Sequence, residues 1–343
     1  MDNTQSNYSS PGSFRPKTFN FKVVISFLAV SFLAVFLFVR LDVSLSETWN
    51  IIRGIDISLY ILALFVHYLT FFFRGIRWRL LLINVAHVQK VDFNPPSLKY
   101  STSVMLMSWF ATSVTIFRMG DVFRAYVYAR DSNSSFSGSA GTVFADRVVD
   151  FIAVLILMAS AILLFFLEGK SLGLALGSIG ITLFSIGVVS VSVMFLFLVG
   201  MKLTGQRLTY LLPKRFQAPY IRFHASTLGS FRKLPLVFTL GILAWICEVG
   251  TWFFIIQALD AHVSIGLILF IPPVNALQAV LALTPGSLGV LEIGTTALLY
   301  LQISVEIALA AVLVDRTLMI ISMVTGGILL AARQIKTPKL YSR

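Results

Sequence analysis

Long stretches of this chain hold almost nothing that water could solvate. One covers residues 19–39, and others follow at about 58–83, 146–167, 172–199, 236–259 and 306–332. About 18 or more apolar residues in a row is the length an α-helix needs to cross bilayer hydrocarbon. In that medium only helices and closed barrels satisfy their own backbone hydrogen bonds. The fold class follows: an all-α polytopic membrane protein. Composition agrees, since only 12% of the 343 residues are charged, against about 25% in soluble domains.

The net charge of +12 raises the question of nucleic acid, and the placement of the charges answers it. Lys and Arg gather in the connections between apolar runs, as the positive-inside rule describes, so membrane lipids and not nucleic acid are the expected partners. The single cysteine, Cys247, forms no internal disulfide. His67, His87, His224 and His262 lack the spacing of a metal site. Gly169-Lys170-Ser171 lacks the upstream glycine of a phosphate-binding loop, because position 164 is Leu. No cofactor, metal or nucleotide hydrolysis by that route is expected.

Residues 1–18, rich in Ser, Asn, Pro and Gly, read as a disordered cytosolic tail, 19–335 as one membrane domain, and 336–343 as a second cytosolic tail. Residues 41–57 read as a loop. The helix at 58–83 ends in Arg74, Arg77 and Arg79 around Trp78. That cluster is either an interfacial anchor whose arginines snorkel outward or a dock for a headgroup phosphate. Residues 200–235 hold seven basic residues, Lys202, Arg207, Lys214, Arg215, Arg222, Arg232 and Lys233, and no acid. This connector reads as cytosolic, with the character of an interfacial segment on anionic lipid.

Two apolar segments are broken in the middle. Residues 100–117 are studded with Ser and Thr, and Arg118-Met119-Gly120-Asp121 leads into a piece too short to span. Residues 265–283 and 287–301 flank Thr284-Pro285-Gly286. Each pair reads as a re-entrant hairpin that dips in and returns. The two lie in one register: adding 169 to Thr115, Gly120, Val143 and Asp146-Arg147 gives Thr284, Gly289, Val312 and Asp315-Arg316. Duplication is the better account. If neither hairpin crosses, six spanning helices put both termini inside, and all but four of the 27 Lys and Arg fall on that side, the exceptions being Arg40, Arg53, Lys170 and Arg316. The repeats, about 58–168 and 236–332, are then inverted, as in many secondary transporters. Counting each hairpin as a crossing gives eight helices, and hydropathy alone does not separate the two.

A charge inside hydrocarbon costs at least about 2.5–3.5 kcal/mol, so it normally meets a partner or a wet cavity. Glu248, at the middle of an apolar run, and Glu292, just beyond the Gly289 break, are candidates for a proton or a headgroup ammonium. Asp146-Arg147 and Asp315-Arg316 each read as opening a spanning helix, where the positive dipole end accounts for an aspartate. Their arginines are either phosphate clamps or partners for the hairpin acids. Arg118 and Arg124 flank the first hairpin turn and are placed to meet a phosphate from the inner leaflet, with Asp121 beside them. The candidate headgroup site is therefore Arg77, Arg118, Asp121, Arg124, Asp146, Arg147, Glu248, Glu292, Asp315 and Arg316, with Gly120, Pro285, Gly286 and Gly289 as hairpin hinges.

Four ordered motifs, Arg77-Trp78-Arg79-Leu80-Leu81-Leu82, Arg118-Met119-Gly120-Asp121-Val122-Phe123-Arg124-Ala125-Tyr126, Thr142-Val143-Phe144-Ala145-Asp146-Arg147-Val148-Val149-Asp150 and Thr284-Pro285-Gly286-Ser287-Leu288-Gly289-Val290-Leu291-Glu292, carry a resemblance. Over about residues 20–335 the chain resembles the lysylphosphatidylglycerol synthase transmembrane-region family, also called flippase-like integral membrane proteins. It departs from the family pattern at Asp146, where Glu is usual, and at Ser287, where a second Gly is. The resemblance implies a lipid translocase of a prokaryotic plasma membrane. Relatives that make lysyl-lipid join this membrane part to a soluble aminoacyl-tRNA-dependent transferase. This chain ends soon after its last helix, so the flippase-like half alone is expected.

The leading expectation is thus a flippase or transporter for a phospholipid or isoprenoid-type lipid, not an enzyme, working without ATP hydrolysis. A lipid-modifying enzyme is a further expected partner, and a homodimer is left open. The alternative is a membrane enzyme or accessory subunit of a lipid-linked glycan or lipid-modification pathway, using Asp121, Asp146 and Asp150. A third reading is a scaffold that recruits a cytosolic synthase through 200–235.

Overall fold

The computed structural model describes residues 44–89, 95–115, 119–167, 177–281 and 284–336. The tail 1–18, the apolar run 19–39, Arg118, the turn at 168–170 and residues 337–343 lie outside them. The described chain is almost entirely helical. α1 is Leu45–Arg53, α2 Ile57–Gln89, α3 Leu98–Val114, α4 Gly120–Asp131, α5 Phe136–Leu167 and α6 Gly177–Thr204. After a 3-10 turn come α7 Lys214–Ser230, α8 Leu234–Ala258, α9 Ile265–Leu281, α10 Val290–Leu299 and α11 Val305–Lys336. Five stretches among the described residues, within α2, α5, α6, α7–α8 and α11, are long and apolar enough to cross a membrane.

Three boundaries differ from the sequence reading, each for a local reason. Residues 45–53 are a helix and not a loop, because the Ser44 hydroxyl caps it by accepting from the Glu47 backbone N–H at 3.3 Å. α2 runs on to Gln89, so Arg74, Arg77 and Arg79 lie well inside it and not at its end. α5 and α11 begin at Phe136 and Val305, which puts Asp146 and Asp315 ten residues into their helices. A helix dipole acts only over the first turn, so it does not account for either aspartate.

The duplication is visible in the helices themselves. α5 and α11 are both 32 residues long, and their first residues, 136 and 305, keep the 169-residue offset. α3 and α9 are both 17 residues long. Packing follows the same exchange: α2 lies along α8, α3 packs on α11, and α9 packs on α5.

Both short pairs are hairpins. In α3–α4, Ser108 Oγ donates to the Gly120 carbonyl near the tip at 2.6 Å, while Tyr100 donates to Asp131 at the mouth. In α9–α10, Thr295 Oγ1 donates to Asn275 Oδ1 at 2.6 Å, and Gln302 Nε2 donates to Ser264 Oγ at the mouth at 2.8 Å. Antiparallel pairing of this kind returns each chain to the side it entered, and none of the four hairpin helices is among the five described stretches long and apolar enough to cross. α2 and α8 are antiparallel, with the Asp56 N–H donating to the Ala258 carbonyl at one end and Asn84 Nδ2 to the Ser230 carbonyl at the other, both at 2.9 Å. The first hairpin opens beside the end of α2, where Arg79 Nε donates to the Pro96 carbonyl at 2.7 Å. The second opens beyond the end of α8. The hairpins therefore enter from opposite faces, and the repeats are inverted.

The breaks depend on glycine and on the duplicated threonines. A Cβ on Gly120 would overlap Thr112 Oγ1 and the Ser108 carbonyl, so only glycine lets α4 close on α3. Gly286 (φ 61°) and Gly289 (φ 83°) supply left-handed backbone at the second tip. Thr115 Oγ1 accepts from the Met119 N–H at 3.2 Å, and its counterpart Thr284 donates to the Leu288 carbonyl at 2.9 Å. The tips meet: Gly286 faces the Ser113 carbonyl.

Candidate functional site

Where the tips meet, a cavity of about 890 Å³ opens, walled by α2, α3, α4, α5, α8, α9, α10 and α11. Its apolar walls carry Phe71, Trp109, Trp245 and Trp252, and its polar groups include Asp121, Arg147, Glu248, Glu292, Asp315 and Arg316 from the sequence-derived set. The remaining described candidates, Arg77, Arg124 and Asp146, lie behind the wall. Arg118 lies outside the described residues.

Behind and along one wall, six charges close into a ring. Arg77 Nε bonds Asp146 Oδ1 at 2.7 Å, and Asp146 Oδ2 bonds Arg124 Nη1 at 2.8 Å. Arg124 Nη2 reaches Asp121 Oδ1 at 3.2 Å, and Asp121 Oδ2 pairs with Arg147 Nε at 2.7 Å. Arg147 Nη1 meets Asp150 Oδ2 at 3.1 Å, and Asp150 Oδ1 returns to Arg77 Nη1 at 2.8 Å. Three arginines alternate with three aspartates, each carboxylate bonded to two guanidiniums, so the ring is neutral. Such compensation is what hydrocarbon demands of buried charge.

The ring changes how its members read. Arg77 is 0% exposed and neither anchors at an interface nor docks a phosphate. Trp78 is equally buried, and the Arg124 guanidinium lies 5.3 Å from its ring centroid. Arg124, at 1% exposure, is not available to an incoming headgroup either. Arg147, at 41%, is the ring's arginine that faces the cavity, beside Asp121 and Asp150.

Two further pairs face the cavity. Arg74 Nη2 meets Glu248 Oε1 at 3.3 Å, with its guanidinium 5.6 Å from the Trp245 ring centroid. Trp245 Nε1 donates to Asp150 at 3.3 Å and so joins this pair to the ring. On the second repeat, Arg316 Nε pairs with Glu292 Oε1 at 2.8 Å, as Arg147 pairs with Asp121, although the 169-residue offset takes Asp121 to Val290 and not to Glu292. Glu292 also accepts the Gly289 N–H at 2.6 Å, capping α10. Glu248 and Glu292 are thus both matched to arginines. Arg124 and Glu292, read from the sequence as free to meet a phosphate and an ammonium or proton, are both held in ion pairs within the fold.

Sequence reasoning left Arg74, Asp150, His67 and Asn275 out of the candidate headgroup site, although Arg74 stood in the cluster read as a phosphate dock and Asp150 among the acids of the enzyme alternative; all four line the cavity. Three of them carried a signal: an ionisable or amide side chain inside an apolar run. Asp150 sat in a quoted motif but looked like the third member of a helix start.

With the geometry in place, known proteins add one decisive match. A family model described as the lysylphosphatidylglycerol synthase TM region covers residues 21–327. The chain belongs to that family. This member of the lysylphosphatidylglycerol synthase transmembrane-region family is also similar to a UPF0104 membrane protein of Methanocaldococcus jannaschii. The two are 28% identical over 222 residues, which is 64% of this chain and 91% of the archaeal protein. At the second tip Ser287 holds φ 57°, a left-handed conformation that favours glycine.

Proposed function

We propose that this protein moves a phospholipid or isoprenoid-type lipid between the leaflets of a prokaryotic plasma membrane without hydrolysing ATP. The observation that carries the reading is the charged, aromatic-walled cavity at the junction of two hairpins that enter from opposite faces. Broken helices meeting at mid-membrane are how many secondary transporters build a substrate site reachable from both sides. A headgroup would occupy the cavity against Arg147, Arg74 and Arg316 while its tails stay in the bilayer. The mouth of the first hairpin faces the cytosol, because the exposed basic connector from Lys202 to Lys233 lies at that end.

The enzyme alternative is the weaker reading. Asp121, Asp146 and Asp150 each bond two arginines, which leaves none as an unencumbered base. The test is reconstitution into liposomes with fluorescent phospholipids and polyprenyl phosphates, read by bleaching of the outer leaflet. Translocation above protein-free vesicles, lost in Arg147→Ala/Glu248→Gln, supports the proposal. Equal, slow rates for wild type and double variant overturn it, and turnover of a nucleotide sugar by the pure protein would move the assignment to the enzyme reading.

A further inference from the structure

Once every pair lining the cavity is matched, one carboxylate is left over. Asp315 lies on α11 at 6% exposure and lines the cavity wall. No hydrogen bond or ion pair to it exists among the described residues. Its repeat counterpart, Asp146, is held by Arg77 and Arg124. On the second repeat the position that corresponds to Arg124 at the same 169-residue offset is Ile293, and the neighbouring Arg316 turns away to Glu292 and the Gly286 carbonyl. Duplication has therefore produced two equivalent aspartates, one saturated and one bare.

We propose that Asp315 is a proton-binding site of this cavity, protonated while the cavity is empty of cationic ligand and exchanging that proton with cavity water during the transport cycle. The proposal rests on the lipid-transport reading for its role in a cycle, but not for the proton itself. An isolated carboxylate in a low-dielectric site is far costlier than its neutral acid, so it takes up a proton unless a positive charge reaches it. The positive charge that does reach it, from the adjacent Arg316, is already paired with Glu292. Glu248 from α8 and Glu292 from α10 bring negative charge of their own, each already matched to Arg74 and Arg316. His67 from α2 is engaged with Ser322 at 3.2 Å. Arg147 and Asp121 belong to the neutral ring, and α3 offers only Trp109, Thr112 and Ser113 on the wall. A metal ion is the less suitable occupant, since no group of three or more His, Cys, Asp or Glu side chains among the described residues could hold one.

The test separates proton from transport. Infrared difference spectra of the purified full chain in nanodiscs, recorded across a pH step, should show a protonated-carboxyl C=O band at neutral pH. That band should vanish in Asp315→Asn and persist in Glu248→Gln and Glu292→Gln. Should Asp315→Asn fail to fold, Asp315→Glu should shift the band without abolishing it. A wild-type spectrum lacking the band, or a band unchanged in both Asp315 variants, overturns the proposal. In liposomes holding a pH dye, Asp315→Asn should abolish lipid-dependent proton movement and flatten the pH dependence of translocation. If lipid fails to move while the band behaves as described, the proton site stands and the transport reading falls. Lipid movement that keeps its full pH dependence in Asp315→Asn removes Asp315 from the cycle.

Discussion

Replacing Arg77 by Met tests whether the six-charge ring is a single compensated unit. The side chain is fully buried and bonds Asp146 at 2.7 Å and Asp150 at 2.8 Å, so Met fills much of its volume but removes one of three positive charges. Asp146 keeps Arg124 and Asp150 keeps Arg147, leaving a ring with one uncompensated negative charge. Removing one partner of a buried pair costs about 3–5 kcal/mol. A neutral interhelical hydrogen bond in a membrane averages only about 0.6 kcal/mol, so the two accounts of Arg77 differ several-fold. Steric trapping in bicelles measures the unfolding free energy. Adding Asp146→Asn restores a ring of two positive and two negative charges and should recover part of the loss, with a coupling of about 0.5–3 kcal/mol. A loss below about 1 kcal/mol for Arg77→Met, or strictly additive losses in the double variant, would refute the idea of a charge-balanced ring.

Other outcomes follow from single contacts. Gly120→Ala should destabilise by about 1–3 kcal/mol, because its Cβ would overlap the Ser108 carbonyl and force α4 off α3; the same steric trap reads it. Ser287→Gly should gain about 1 kcal/mol by relieving left-handed strain, whereas Ser287→Val should lose stability. In a background without Cys247, cysteines at the exposed positions Ser132 and Ser304 should react with impermeant maleimide from opposite faces. Same-side labelling would contradict the inverted hairpins.

Much of this architecture could be read from the chain because membranes restrict it so strongly. The apolar runs gave the class, and Thr115/Thr284 with Gly120/Gly289 gave the hairpins and their register. The site was harder to read, for a physical reason. A charge in an apolar run announces that it has a partner, but not which one, and the partners here come from helices far apart in sequence: Arg77 from α2 meets Asp146 and Asp150 from α5. The misplaced end of α2 then turned three interior residues, Arg74, Arg77 and Trp78, into apparent interfacial anchors. Asp315 looked like a helix-start aspartate, and only its surroundings in three dimensions reveal that, unlike Asp146, it forms no ion pair among the described residues.

The claim on which the account depends is that a lipid headgroup occupies the cavity between the hairpin tips, and photocrosslinking reads that occupancy directly. Protein in liposomes containing a phospholipid with a photoreactive headgroup would be irradiated, digested and mapped by mass spectrometry. The account predicts adducts on cavity residues such as Trp245, Trp252 and Met323 that weaken in Arg147→Ala/Glu248→Gln. Adducts confined to outward-facing side chains such as Val193 and Phe195 of α6, unchanged in that variant, would contradict it.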